Sequence, residues 1–230
     1  MKNRGFTLVE LSIVLVIIGL LVSGILVTQS MINTVKIQSF VRQQQQIDVA
    51  FTNFQTKYNS LPGDSVSFGG DGNGAVGTSA SNYDLEMRRV FVDLQSSGFY
   101  TNDKTFTDTI TIKFDVNSAT PNSPKVPVGK DGGMVIFSNQ NKQYNEVSNY
   151  QITPSYSLSS VIPTFLDGLD AQVMDTKMDD GVPNTGTVQG MGAFGFNNST
   201  GLCQNAGKYV TDNVFGKKNC NLRFELFNAL

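Results

Sequence analysis

A single carboxylate stands inside a long apolar run near the start of the chain. Between Phe6 and Val27 the only charged residue is Glu10. As a helix, this run would span about 33 Å at 1.5 Å per residue, enough to cross the hydrocarbon core of a bilayer. A charged side chain there costs roughly 2.5–3.5 kcal/mol on insertion scales, so its presence indicates a function. Glu10 needs a cationic partner, and an amino terminus one helical turn earlier, on a neighbouring copy of the chain, would supply one.

The residues ahead of the apolar run are basic. Lys2, Arg4 and the amino terminus carry positive charge, and no acidic residue lies among them. The positive-inside rule therefore predicts that the first five residues stay in the cytoplasm and that the rest of the chain is exported. An ordinary secretory signal is cut after its apolar core at a small-residue site, but no Ala-x-Ala sequence follows Val27.

The short sequence that joins the basic leader to the apolar run is GFTLVE, from Gly5 to Glu10. It resembles the class III signal of type IV pilins and of type II secretion pseudopilins. The resemblance implies that a prepilin peptidase cuts between Gly5 and Phe6 and N-methylates Phe6. It also implies that Glu10 meets the Phe6 amine of a neighbouring subunit during assembly. The alternative is a plain signal anchor that carries Glu10 by chance. Many major pilins have a proline where Val27 stands, so this chain departs from their pattern there.

Composition excludes several classes of function. The chain has no histidine, which rules out a Ser-His-Asp or Cys-His nucleophile and His-ligated metals such as catalytic zinc. Without Lys2 and Arg4, 15 basic residues face 19 acidic ones, a net charge near −4. Tight nucleic-acid binding depends on Lys and Arg that neutralise phosphates, so nucleic acid is not an expected partner.

Cys203 and Cys220 are the two cysteines of the chain. In an exported protein such a pair predicts a disulfide, and free buried thiols are the alternative. Closing a loop of this size stabilises the fold by about 3 kcal/mol in the chain-entropy model. By resemblance to pilins, the region bounded by this disulfide would be a variable patch on the surface.

Several carboxylate side chains are clustered in the sequence between the middle of the chain and Cys203. With no histidine and no spare cysteine, any metal here must take oxygen ligands, and calcium suits an extracellular compartment. The calcium candidates are Asp175, Asp179 and Asp180, and the chain is otherwise expected to need no cofactor. We favour the alternative, a solvated acidic face that runs into an Asp-Gly turn.

A second acidic sequence, Asp71-Gly-Asn-Gly, could begin an EF-hand loop. That loop requires an acid or amide at its fifth position, Gly at its sixth and Glu at its twelfth. Ala75, Val76 and Asn82 occupy those positions, so a tight turn is the better interpretation.

Apolar periodicity predicts three helices. The first runs over 6–58, with 6–27 in the membrane or filament core and an outer half that carries one apolar stripe of Ile47, Ala50, Phe51, Phe54 and Tyr58. Pro62 and Gly63 end it. The second spans 82–97 with Gly98 as its stop, and the third opens at Pro163 and runs to about Met178.

Strand signals are fewer. Strict alternation over 108–116 predicts a strand with one buried face, and Met134–Phe137 predicts a short central strand. A terminal strand is expected at 222–227, next to Cys220, and 190–197 forms either a strand or a glycine-rich turn. The segment 156–161 is ambiguous.

These elements predict an α+β, pilin-like fold. A long N-terminal helix, transmembrane in its inner half, would pack its outer half on an antiparallel sheet of about four strands, with a C-terminal region bounded by the disulfide. The expected organisation is a leader at 1–5, the long helix at 6–58 and a periplasmic or extracellular domain at 59–230.

The expected function is that of a structural, non-enzymatic subunit of a type IV pilus or type II secretion pseudopilus. Its partners would be the prepilin peptidase, other pilin or pseudopilin subunits and an inner-membrane assembly platform. The subunit would sit in the inner membrane with its N-terminus cytoplasmic and its domain periplasmic, then enter a filament that could reach the cell surface. Two alternatives stay open: a minor tip pilin that acts as an adhesin or DNA-uptake module, and a membrane-anchored enzyme.

Overall fold

The computed structural model describes residues 7–77, 83–108, 123–128, 133–139, 142–148, 166–191, 203–211 and 220–226. A single long helix, α1, runs from Leu8 to Tyr58, which at 1.5 Å per residue is about 77 Å. It ends where the sequence predicts, because Asn59 adopts a left-handed conformation with φ 49° and its N–H bonds the Gln55 carbonyl.

The two halves of α1 differ in what surrounds them. From Leu8 to Ile25 the helix has a mean hydropathy of 2.7, and none of these residues is buried. Among the side chains that the structure describes, Ile37 is the first buried one, and from there one stripe faces the rest of the protein. The stripe begins ten residues earlier than the sequence analysis placed it. Its members recur at alternating spacings of three and four: Ile37, Phe40, Gln44, Ile47, Phe51, Phe54 and Tyr58.

The stripe of α1 packs on an antiparallel sheet with four described strands, which confirms the predicted α+β arrangement. The strands are β1 (Gly133–Asn139), β2 (Lys142–Ser148), β3 (Val188–Met191) and β6 (Asn221–Leu226), in the order β1-β2-β6-β3. The ring centroids of Phe40 on α1 and Phe224 on β6 lie 5.4 Å apart, which places β6 under the helix.

Several strand predictions need correction. The run predicted as a central strand is β1, which lies at the edge of the sheet that the described strands form. The central position next to it belongs to β2, which the sequence analysis did not predict. Of the strand or turn expected at 190–197, the described residues 190 and 191 belong to β3, which already begins at Val188, and the rest lies outside the described residues. The terminal strand begins one residue earlier than expected, at Asn221. The strand predicted for 108–116 lies, apart from Asp108, outside the described residues, as does 156–161.

In the described part of the chain, two shorter helices lie beside α1. Helix α2 spans Tyr83–Ser96, and Gly98 follows it with φ 78°, as its predicted role as a stop requires. Helix α3 spans Gly168–Met178, so its predicted start at Pro163 is wrong. The start is displaced because Leu166 forms an isolated antiparallel bridge with Cys220, and Asp167 then caps the helix by accepting a 2.7 Å hydrogen bond from the Asp170 N–H.

The predicted disulfide is confirmed. Cys203 and Cys220 are bonded with their Cα atoms 4.6 Å apart, and both are fully buried. The loop that they close contains a small hairpin of β4 (Gln204–Asn205) and β5 (Lys208–Tyr209), which the sequence analysis did not foresee. The disulfide therefore ties this hairpin to the start of β6.

Candidate functional site

Glu10 lies in the first turn of α1, where it closes a capping box with Thr7. Its Oε2 accepts hydrogen bonds from the Thr7 N–H at 2.8 Å and the Thr7 hydroxyl at 2.9 Å, and its own N–H donates to that hydroxyl at 3.3 Å. Such a box satisfies two otherwise unpaired donors at a helix start. The Thr-x-x-Glu spacing is the sequence signal of such a box, and capping was not among the roles predicted for Glu10. Gly5 and Phe6 lie outside the described residues, so the roles predicted for them and for Glu10 stay predictions.

The helix that follows Glu10 presents apolar side chains on every side. Leu8, Leu15, Leu20 and Leu21 are each more than 60% exposed, and their neighbours are similarly open. Within the described part of the chain, nothing lies within 4 Å of a Cβ placed on Gly19 or Gly24. A helix that is apolar all round is stable only in a bilayer or among other apolar helices. At Gly19 and Gly24 a neighbouring helix could approach closely.

Comparison with known proteins identifies this segment. Residues 1–26 match the prokaryotic N-terminal methylation motif. The chain carries the prepilin signature of type IV pilins and pseudopilins. This signature implies processing by a prepilin peptidase, assembly with other pilin subunits and a structural rather than enzymatic protein, and with the apolar helix it indicates an N-terminal membrane anchor. No curated protein and no solved structure matches the chain.

The structure brings the three predicted calcium candidates together at the end of α3. One carboxylate oxygen from each of Asp175, Asp179 and Asp180 lies within 4.8 Å of the others. Asp175 is buried, and its two oxygens accept hydrogen bonds from the Tyr209 hydroxyl at 2.8 Å and the Gly181 N–H at 3.1 Å. Burial raises the pKa of Asp175 to about 6, although the Tyr209 bond lowers it.

The other two carboxylates shape the turn that leads from α3 to β3. Asp179 accepts hydrogen bonds from the N–H groups of Thr187 and, at 3.1 Å, Val188. Asp180 accepts from the Val182 N–H at 2.8 Å and from the Thr185 hydroxyl, which lowers its pKa. All three carboxylates thus have structural partners within the chain, and calcium binding to them stays a prediction.

A second group of carboxylates was missed by the sequence analysis. Asp64, at the end of the turn that follows α1, meets Asp71 from the glycine-rich loop and Glu86 from α2, with carboxylate oxygens again within 4.8 Å of one another. Asp64 and Glu86 are almost fully buried, and burial is the largest cause that raises the pKa of each. No local pattern signals this cluster, because the three residues come from separate elements.

Backbone N–H groups of the glycine-rich loop converge on these carboxylates. Asp64 accepts from Asn73 at 2.9 Å and from Gly74 at 3.0 Å, and Glu86 accepts from Gly77 at 2.8 Å. These charge-assisted bonds fold residues 71–77 around the acids. The group has the oxygen ligands that a hard cation prefers, and its hydrogen bonds give it a structural role in the loop.

Proposed function

We propose that the chain is a structural subunit of a type IV pilus or of a type II secretion pseudopilus. The observation that carries this proposal is the prepilin signature at the start of α1. The inner half of this helix is apolar and exposed on all sides, and its outer half packs on the sheet. Such a helix can pass from the bilayer to a bundle of copies, because both surroundings are equally dry and helix–helix contacts are gained.

The proposed sequence of events begins in the inner membrane, with the leader in the cytoplasm and residues 59–230 in the periplasm. Prepilin peptidase removes residues 1–5 and methylates the new amino terminus at Phe6. The assembly platform then brings the subunit to the filament, where Glu10 of one copy lies beside the Phe6 amine of the next. Their attraction is strong because the surroundings exclude water, and it sets the register between copies.

Two substitutions at Glu10 separate its possible roles. Glu10→Gln keeps the capping box with Thr7, because Gln serves at the third helical position as Glu does, but it removes the charge. Glu10→Ala removes both. We expect both variants to be processed and inserted in the membrane and to be incorporated poorly into sheared filaments. Incorporation of Glu10→Gln at the wild-type rate would refute the ion pair, and would leave helix capping as the role of Glu10.

Immunogold labelling of sheared filaments tests the proposal itself. Label along the filament length would support a main structural subunit. Label confined to filament ends would support the minor tip subunit. Processed protein that never leaves the membrane fraction would contradict both.

A further inference from the structure

A cleft of about 480 Å³ lies beside the outer half of α1, between the end of α3 and the strands β3 and β6. Its lining includes the apolar side chains of Val41 of α1 and of Phe224 and Leu226 of β6. Three charged residues of the described chain line it: Asp48 on α1, Lys177 on α3 and Glu225 on β6. The cleft therefore holds one more negative than positive charge.

Asp48 is the charged group of the cleft that lies on α1 itself. It is half-buried, and its Oδ1 accepts a long hydrogen bond of 3.4 Å from the amide of Gln44, which is fully buried. Burial raises the pKa of Asp48 to about 6, and the Gln44 amide is the cause that opposes it. Within the described part of the chain, the side chain of this half-buried carboxylate has one long hydrogen bond, so a further cation would be favourable there.

The pairing of Glu10 with the Phe6 amine of another copy fixes how far neighbouring copies are staggered. A residue then lies level with the residue four positions later in its neighbour, a stagger of about 6 Å. Arg42 is thereby level with position 46 of the next copy, within about 3 Å of Asp48 along the axis. The other basic residues of the outer half, Lys36 and Lys57, would miss Asp48 by about 12 and 20 Å.

Within one copy, Arg42 and Asp48 lie on different sides of α1. Six residues at about 100° each place them roughly 120° apart around the axis, so they cannot pair within a chain. Arg42 is exposed, whereas Asp48 faces the cleft. Two unlike patches that meet between copies form a heterologous contact, and such a contact repeats into an open filament when it does not close a ring.

We propose that this cleft receives the Arg42 guanidinium of a second copy of the chain, which pairs with Asp48 in the assembled filament. The inference rests on the proposed filament function and extends it from the membrane end of α1 to the globular region. The apolar residues in the lining of the cleft would accept the aliphatic part of the arginine side chain.

Cross-linking between separately marked copies tests the pairing. One chain carries Arg42→Cys and a second, co-expressed chain carries Asp48→Cys. A bismaleimide about 10 Å long then joins only different copies, since the native cysteines are both in the disulfide. The matched control replaces Arg42→Cys by Lys36→Cys, on the same helix but six residues, about 9 Å, further from Asp48 along the chain. We expect severalfold more cross-linked dimer from the first pair in sheared filaments.

Charge reversal supplies a second measurement that does not depend on the cysteine variants. Arg42→Glu and Asp48→Arg should each lower incorporation into filaments by about tenfold or more, and the double variant should restore most of it. Resistance of the membrane-bound subunit to protease shows that each variant is folded.

The outcomes distinguish this inference from the function on which it rests. Filaments that contain both marked chains, with no more cross-linking than the control pair and no rescue by double reversal, would overturn the Arg42–Asp48 contact and leave the filament proposal standing. Absence of the wild-type chain from filaments would overturn both.

Discussion

Asp93 offers a quantitative test of how the end of α1 is held. This residue lies on α2, is only 3% exposed, and accepts a 2.7 Å hydrogen bond from the Gly63 N–H. Gly63 has φ 92°, and a Cβ there would lie 2.5 Å from the Glu86 carbonyl oxygen, so the turn after α1 is pressed directly against α2. The perturbation is Asp93→Asn, which keeps an oxygen acceptor for Gly63 and removes the charge.

The magnitude follows from the pKa of Asp93. Burial raises it from 3.8 to about 6, while the Gly63 bond and Arg89 oppose the rise. Because the folded state holds the proton more tightly than the unfolded state, the stabilisation by the protonated acid is complete below about pH 4. It is lost as the pH rises through about 6. Two pH units at about 1.4 kcal/mol each give a loss of up to about 3 kcal/mol between pH 4 and pH 7.5.

Urea unfolding of the full chain in detergent, followed by tyrosine fluorescence from pH 4 to pH 8, measures this loss. Asp48 and Asp175, whose pKa values burial also raises to about 6, add to the wild-type slope, so the comparison is the difference between wild type and variant. Asp93→Asn should reduce the loss of unfolding free energy between pH 4 and pH 7.5 by about 2–3 kcal/mol. Asp103→Asn, on an exposed residue, is the control and should leave it unchanged. A variant with the full wild-type slope would refute the argument that Asp93 is ionised at a cost.

Three further predictions concern processing, the disulfide and the glycine-rich loop. Mass spectrometry of the mature N-terminus should show N-methyl-Phe6, and a chain that keeps its initiator methionine or is cut after the apolar run would contradict the signature. Thiol alkylation of folded protein without reductant should label neither Cys203 nor Cys220, and replacing both by Ser should lower the free energy of unfolding by about 3 kcal/mol. Gly70→Ala should destabilise by about 1–3 kcal/mol in the same urea assay, because its Cβ would overlap the backbone of Asp64; an unchanged midpoint would show that the loop can move away.

The helices were predictable because their signals are local. Pro62 and Gly63 predicted the end of α1 to within a few residues, although Asn59 forms the cap, and Gly98 predicted the stop after α2. The start of α3 was misplaced because Pro163 is a permissible first helical residue, whereas the bridge between Leu166 and Cys220 depends on a partner more than fifty residues away. Local propensity carries no information about that partner.

The sheet was harder to predict because its strands are defined by pairing. Lys142–Ser148 has the polar sequence KQYNEVS, and it forms β2 because β1 and β6 pair with it on both sides. The apolar run in β1 suggested a central strand, but the outer edge of β1 is covered by loops. The Ser123 hydroxyl bonds both the N–H and the carbonyl of Met134, and the Ser138 N–H bonds the Val76 carbonyl. Loops thus occupy backbone groups that an exposed edge would offer to another chain.

The sequence identified residues of the candidate sites but not the structural environment around them. The prepilin signature is contiguous, so a short local sequence was sufficient to find it. Asp64, Asp71 and Glu86 could not be grouped in advance, because their meeting depends on how the glycine-rich loop folds back between α1 and α2. The same holds for Asp48, whose cleft exists only once α3 and β6 are packed beside α1.

In the proposed filament, the continuity of α1 is what would allow the contact at Glu10 to determine the proposed contact in the globular region. Glu10 and Asp48 are separated by thirty-eight residues of unbroken helix, about 57 Å. A proline within that stretch would remove a backbone hydrogen bond and introduce a kink, and the stagger set at Glu10 would then not predict the height of Asp48. Val27 stands where many major pilins have that proline, and the helix passes through it without interruption. The departure from their pattern therefore has a physical consequence for the proposal: an uninterrupted helix would transmit the proposed register between Glu10 and a neighbouring amine to the level of Arg42 and the cleft.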